Sequence, residues 1–499
     1  MIELRSYQLD VIDRIERALG ERRKVLLVAP TGSGKTVIAA EIINRTVVQY
    51  KTVLFLAHRR EIIMQTSAKL TATGVRHGII MAGVESRPME SVQVASIDTL
   101  HVRGVRSNAI SLPPADLLIF DEAHRARGRT REQLISLYPD AALLGMTATP
   151  CRGDGRGLGN VFTAMIECPQ VADLIVGGFL VKSRVYAPVD PDLRGVRAQQ
   201  GDYVVGQLER RMNTDALVGD IVEHWLKYGE RHRTVCFAVG IEHSVHIRNE
   251  FVHAGVRAEH LDGTTPIAER EAILARLASG ETEVVSNCMV LTEGWNMPAV
   301  GCCILARPTK QMSLYRQMVG RVLRPDDGKP DAVILDHSGA VYRHGLPEDH
   351  VEWTLAVDRR AVNPAQQKRE RGEAPKLREC PSCKAVMIVP PCGACGWQLQ
   401  PRGRAVDFED GELGLVSRGK AIAPIYSETD RRIFFQQLRS VQQTKGYKKG
   451  WAAHKYREKF GDFPPWSYNE LPPAIPTDAV LRWVRSRNIA FAKATRGAA

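Results

Sequence analysis

A chain of 499 residues, 44% hydrophobic and 25% charged, has the composition of a globular protein and room for roughly three or four domains, which excludes a fibrous or wholly disordered chain. No run approaches the roughly 18 apolar residues that cross a bilayer, and Met1-Ile2-Glu3-Leu4-Arg5 lacks the basic and then apolar segments of a signal peptide, so a cytoplasmic protein with no membrane partner is expected. The net charge of +12 is concentrated: residues 431–499 hold 14 Lys and Arg against 4 Asp and Glu, a balance of +10 that favours a polyanionic partner.

Residues 1–188 read as a first α/β domain. Val25–Ala29, Thr52–Ala57, Val92–Ala95, Leu117–Phe120 and Ala142–Met146 are short apolar runs of the kind buried on both faces of a parallel sheet. Amphipathic stretches such as Arg60–Ala72 separate several of them, so the loops at the carboxyl ends of the strands are the expected site. Residues 189–345 repeat the rhythm, with strands at Thr234–Val239, Glu283–Ser286 and Cys302–Ala306 and a helix at Ala268–Ser279. Residues 346–378 are expected to be a polar linker, 379–397 a four-cysteine unit, 398–424 a second linker and 425–499 a basic, mostly helical module.

The loop Ala29-Pro30-Thr31-Gly32-Ser33-Gly34-Lys35-Thr36 follows a strand and opens a helix. Its glycines let backbone N–H groups turn inward around phosphates, and the helix start adds positive potential. Lys35 would reach the β- and γ-phosphates of ATP, and the Thr36 hydroxyl would ligate Mg²⁺. Asp121-Glu122-Ala123-His124 follows the strand Leu117–Phe120. Asp121 suits Mg²⁺, and Glu122 suits the orientation and deprotonation of an attacking water. No second phosphate loop recurs after residue 189, so one nucleotide site is expected.

On these residues the chain resembles a superfamily 2 helicase of the DEAH-lettered type over residues 3–325, which implies two tandem RecA-like domains. Arg5-Ser6-Tyr7-Gln8 resembles the adenine-reading element, with Gln8 as the adenine contact and Arg5 beside it. Phe55–Arg59 and Ser96–Leu100 resemble motifs Ia and Ib, and Thr147-Ala148-Thr149-Pro150 resembles motif III. Asn287–Pro298 resembles motif V, and Gln317–Arg324 resembles motif VI. The resemblance implies strand contacts by His58, Arg59, Thr99 and Thr292. It also implies γ-phosphate sensing by Gln317. Arg321 and Arg324, spaced i, i+3 as one helical turn requires, would neutralise the transferring phosphate, with Arg324 as the finger.

Cys380-Pro381-Ser382-Cys383 and Cys392-Gly393-Ala394-Cys395 are two C-x₂-C pairs. Four thiolates suit a closed structural Zn²⁺ site; an iron–sulfur cluster or a redox dithiol are the other chemistries. The other six cysteines lie in apolar segments and read as buried free thiols. The tail interleaves cations and aromatics from Lys445 to Arg457, a pattern that meets phosphates and stacks on unpaired bases. This combination of motor, cysteine unit and Gly-Tyr-Lys-Lys-Gly-Trp-Ala-Ala-His-Lys tail resembles the bacterial RadD family and related phage helicases. So does the glycine-rich run Thr149–Gly159. The resemblance implies a bacterial or phage-encoded, nucleoid-associated, DNA-dependent ATPase and helicase or translocase of DNA repair, recombination or replication. Its partners would be single-stranded or branched DNA and single-strand-binding protein. An RNA helicase, or an ATP-dependent DNA clamp that does not unwind, are the alternatives.

Overall fold

The computed structural model describes residues 4–22, 24–125, 128–151, 155–187, 191–199, 201–292, 294–399 and 426–496. Glu293, residues 152–154 and nearly all of the expected 398–424 linker lie outside them. The chain divides into two compact units, residues 1–401 and 402–499.

The first unit contains two parallel sheets. Strands β1 (Lys24–Val28), β2 (Val53–Ala57), β3 (Gly78–Ile80), β4 (Val92–Ser96), β5 (Leu117–Asp121), β6 (Ala142–Thr147) and β7 (Ala164–Glu167) form one sheet in the order β3-β4-β2-β5-β6-β1-β7. All of its pairs are parallel. Residues alternate between its faces with period two. Val53 and Phe55 join Ile12, Ile38 and Ile42 on one side, while Leu54 and Leu56 join Phe120 and Phe162 on the other. Both faces are covered, which is why the strands read as continuous apolar runs.

The second sheet begins earlier than expected. Strand β8 (Lys182–Tyr186) falls before residue 188, yet it pairs with the last strand of the second half. A small hairpin of β9 (Ala198–Gln199) and β10 (Asp202–Tyr203) follows. Then come β11 (Thr234–Phe237), β12 (Ala258–Leu261), β13 (Val284–Asn287), β14 (Cys302–Leu305) and β15 (Asp331–Asp336), in the order β12-β13-β11-β14-β15-β8. Lys182-Ser183-Arg184 gives β8 a polar start, as an edge strand allows, so no apolar run marks it. Cys151, Cys168, Cys236, Cys302 and Cys303 are buried; burial raises the Cys168 and Cys302 thiols to about 12.

Residues 346–378 are not a linker. Trp353 and Leu355 pack on the first sheet's outer core, and a helix at Pro364–Glu370 buries Gln366 and Arg369. Arg369 Nη2 meets Asp349 Oδ1 at 3.1 Å, and the Asn363 side chain caps the Gln366 N–H at 3.0 Å. The segment is polar because its polar groups satisfy one another inside the fold, not because water surrounds them. Strands β16 (Arg378–Glu379) and β17 (Val386–Met387) then form the hairpin of the cysteine unit, which packs against β8.

The second unit has helices at Glu428–Lys445, Trp451–Phe460 and Asp478–Arg496 around Phe435, Leu438, Val441, Ala452, Tyr456 and Tyr468. Ser427 and Asp430 form a reciprocal cap at the first of these.

Candidate active site

The phosphate loop lies between β1 and the helix Lys35–Val48. Gly34 takes φ +86°, and a Cβ there would overlap the Gln8 amide, so the loop requires glycine for both conformation and space. Gln8 is buried beneath the loop. Its Oε1 accepts from the Arg5 N–H at 3.0 Å, and its Nε2 donates to the Ser33 carbonyl at 3.1 Å. Tyr7 donates its hydroxyl to the same carbonyl at 2.6 Å. The Arg5-Ser6-Tyr7-Gln8 element therefore braces the loop. The Arg5 guanidinium lies 4.7 Å from the Phe179 ring centroid.

At the end of β5, Lys35 Nζ stands 3.4 Å from Glu122 Oε1. Glu122 has φ +49°, a left-handed conformation that is rare for a side-chain-bearing residue. Burial alone would raise its carboxyl, but Lys35, His124 and Arg321 hold it well below the usual carboxylate range, so it stays ionised. His124 Nδ1 sits 3.2 Å from Glu122 Oε2 and 3.2 Å from Thr147 Oγ1. Thr147 in turn exchanges hydrogen bonds with Thr149 at 3.1 Å. A continuous polar path thus joins Glu122 to motif III, and His124 is a residue that sequence reading left without a role.

The second half supplies the opposite wall. Arg321 is buried and donates to the Thr292 carbonyl at 2.6 Å and the Trp295 carbonyl at 2.6 Å. Arg324 donates to the Asn296 side chain and lies against Gly32. Burial, then repulsion from Arg321, lowers the Arg324 guanidinium to about 9, so an anion beside it would be stabilising. The expected helical spacing of the two arginines is corrected. The helix Met312–Val319 ends before them, and they sit on the turn and loop that follow. Pro325 disfavours helix at Arg324, and the Leu323 carbonyl instead accepts from the Val181 N–H at 2.8 Å. Lys329, also missed by sequence reading, donates to the carbonyls of Pro298, Val300 and Arg324 at 2.9, 2.7 and 2.8 Å and so staples this loop.

Arg5, Thr31, Gly32, Gly34, Lys35, Thr36, Asp121, Glu122, Arg321 and Arg324 together line one cleft of about 640 Å³, within the range of nucleotide-sized sites. Ser33 is buried, its hydroxyl donating to the Pro30 carbonyl at 2.7 Å, and shapes the loop from within. Gln317 does not line the cleft; it is buried, and its Nε2 has no hydrogen-bond partner among the described residues. The Thr36 hydroxyl and the Asp121 carboxylate are hard oxygen donors of the kind Mg²⁺ takes.

Residues 1–152 match the family described as "Type III restriction enzyme, res subunit", and residues 217–326 match the helicase conserved C-terminal domain. A 51.5 kDa protein of a Lactococcus phage (isolate 7-9) is 28% identical over 81% of this chain and 84% of its own length. IRC3 of Saccharomyces cerevisiae, which carries a provisional ATP-dependent helicase name, is 30% identical over 68% of this chain and 52% of its own length. The chain is a superfamily 2 helicase. The chain spans about half the length of IRC3. The DNA 3'-5' translocase XPB2 of Sulfurisphaera tokodaii is 24% identical over 65% of this helicase and 80% of its own length. A fragment named as an HsdR subunit of a type I restriction enzyme from Vibrio vulnificus shares the fold. It has a TM-score of 0.54 and 23% identity, over 69% of this chain and 66% of its own. The helicase is an ATP hydrolase, an ATP-dependent helicase or translocase on nucleic acid.

Of the expected strand contacts, Arg59 and Thr292 are drawn into the seam between the halves. Arg59 Nη1 donates to the Val290 carbonyl at 2.8 Å. Thr292 is buried, and its hydroxyl donates to the Met289 carbonyl at 3.0 Å, so it does not present a strand surface in this state. Gln65 to Gly294 at 2.9 Å and Arg270 to Glu61 at 2.9 Å close the same seam. His58 and Thr99 are half-buried, and the Ser96 hydroxyl caps the Thr99 N–H at 3.4 Å.

The four cysteines converge. Cys380 and Cys395 sulfurs are 3.7 Å apart, Cys383 and Cys392 sulfurs 3.8 Å, and all four lie within 4.8 Å of one another. A tetrahedron with metal–sulfur bonds of about 2.3 Å has edges of about 3.8 Å, so the thiols fit one ion. Lys384 (φ +67°) and Gly396 (φ +72°) follow the two pairs in equivalent places, giving two like knuckles. Among the described residues no helix is long and apolar enough to cross a membrane.

Proposed function

We propose that this helicase is a DNA-dependent ATPase and DNA translocase or helicase of repair, recombination or replication. The observation that carries the reading is the two-walled cleft, together with a basic module whose exposed side chains suit single strands. In that module Trp466 is 88% exposed and Phe463 is 50% exposed, with the Arg457 guanidinium 4.8 Å from the Phe463 ring centroid. Lys445, Lys448 and Lys449 are exposed as well. Aromatic faces and free cations are what an unpaired strand binds. Most other aromatics of the module are core, as Phe435 and Tyr456 are. XPB2, named a DNA translocase, supports DNA over RNA.

In this reading Lys35 holds the β- and γ-phosphates, and Thr36 and Asp121 hold Mg²⁺, which offsets phosphate charge when bound. Glu122, kept ionised, accepts the proton of the attacking water. Arg324, with Arg321 behind it, meets the charge that develops on the transferring phosphate. Gln8 reads adenine. Hydrolysis weakens the contacts between the walls, and the cleft opens. The four cysteines hold one structural Zn²⁺. Single-strand-binding protein is a partner, and the protein works at the nucleoid of a bacterium or of a phage-infected cell.

ATPase rates with single-stranded DNA, duplex DNA and RNA test the substrate. Stimulation by RNA alone would overturn the DNA reading. Streptavidin displacement from an end-labelled strand separates a translocase, which displaces it with ATP, from a clamp, which does not.

A further inference from the structure

Residues 346–362 leave the second half, cross to the first and return. Arg316, half-buried on the helix that leads into motif VI, donates to the Pro347 carbonyl and, at 2.8 Å, to the Asp349 carbonyl. Two residues on, the Val351 N–H donates to Gln170 Oε1 at 2.9 Å, and Gln170 Nε2 donates to the Val351 carbonyl at 2.8 Å. Gln170 belongs to the first half, just after β7. The segment then meets the glycine run that follows motif III. The Gly157 N–H donates to the Ala356 carbonyl at 3.1 Å, and the Gly159 N–H donates to the Leu355 carbonyl at 2.7 Å. A Cβ on Gly157 would overlap the Leu355 and Thr354 backbone, so the docking requires glycine there. Pro30 and Thr31 of the phosphate loop, Val319 and Gly320 of motif VI, and Val351 and Trp353 of the segment face one small cavity of about 40 Å³.

We propose that this segment is a strap, and that Gln170 and Arg316 are positioning residues for ATP hydrolysis which act through it. Arg316 fixes the strap to the helix that leads into Arg321 and Arg324. Gln170 and Gly157 fix the same strap to the half that carries Glu122. The strap sets the distance between finger and base, and its far end touches the loop that continues motif III. It therefore bears on kcat rather than on ATP affinity, which groups of the first half, the phosphate loop and Gln8, supply. The proposal rests on the roles assigned above to Arg324 and Glu122.

The test uses the full chain with single-stranded DNA. Gln170→Met keeps the side-chain volume and removes both hydrogen bonds to Val351. The expected result is a kcat lowered about 10- to 100-fold with the KM for ATP within about 2-fold, the signature of misplacement rather than lost binding. Gly157→Ala should give the same split. The double variant should be no worse than the poorer single one, because both changes release one element. A kcat within about 2-fold of wild type in both single variants, a rise in KM without loss of kcat, or full additivity would each overturn the strap. A purely structural role would lower the melting temperature without splitting kcat from KM, and that outcome also overturns it. Arg324→Ala is the control: if it retains wild-type turnover, the assigned finger fails first and the strap with it. If it abolishes turnover while Gln170→Met does not, the strap alone fails.

Discussion

Acid should unfold the second half of this helicase well before its carboxylates titrate. His243, His337 and His344 are buried there, and burial lowers them to about 4, about 3 and about 4, with the neighbouring His246 and His224 adding to the shift for the first two. In the unfolded chain each returns to an ordinary value of about 6.5. Between those values the unfolded state binds more protons, so stability falls as pH falls from about 6.5 toward about 4 and is constant above. At pH 5 each histidine costs about 2 kcal/mol, and the three together cost about 6 kcal/mol. That is a large share of the roughly 5–15 kcal/mol by which domains are stable. Urea unfolding followed by tryptophan fluorescence at several pH values measures it. The midpoint should be level from pH 8 to 7 and drop steeply by pH 5, with about three protons taken up on unfolding. A flat midpoint between pH 7 and pH 5 would refute the reasoning.

Other outcomes follow from the site. Glu122→Gln should bind ATP with near wild-type affinity yet release phosphate at least about 100-fold more slowly, read by nucleotide binding beside phosphate release; equal turnover would remove Glu122 as the base. Lys35→Ala should abolish hydrolysis, and retained turnover would sink the phosphate-loop role. Elemental analysis should find about one zinc per chain, and a folded protein without metal would refute that assignment. Trp466→Ala should weaken single-stranded DNA binding by about 1–3 kcal/mol while leaving the melting temperature in place, because the ring is exposed and packs on little. Unchanged binding would place the strand elsewhere.

The strand runs of both halves were legible because both faces of each sheet are covered, which leaves an apolar signature such as Val53–Ala57. The phosphate loop and the Asp121-Glu122 pair were legible because their chemistry is local: a loop of fixed length at one strand end, an acid at another. The spacing of the two cysteine pairs led to the expectation that they converge, and their four sulfurs do lie within 4.8 Å of one another. Strand β8 was missed because an edge strand tolerates Lys182 and Arg184. The strap was misread because its polar residues pair with one another, as Arg369 does with Asp349, and composition does not distinguish internal pairing from solvation.

Local order alone brings Lys35, Asp121 and Glu122 together, because all three stand at strand ends of one sheet, where they line one cleft. The sequence by itself did not determine what Arg59, Thr292, Arg316 or Gln170 touch. Arg59 reaches Val290, 231 positions away, and Gln170 reaches Val351, 181 positions away. Contacts of that span depend on how two sheets settle against each other. No local propensity encodes that packing; the assembled fold sets it.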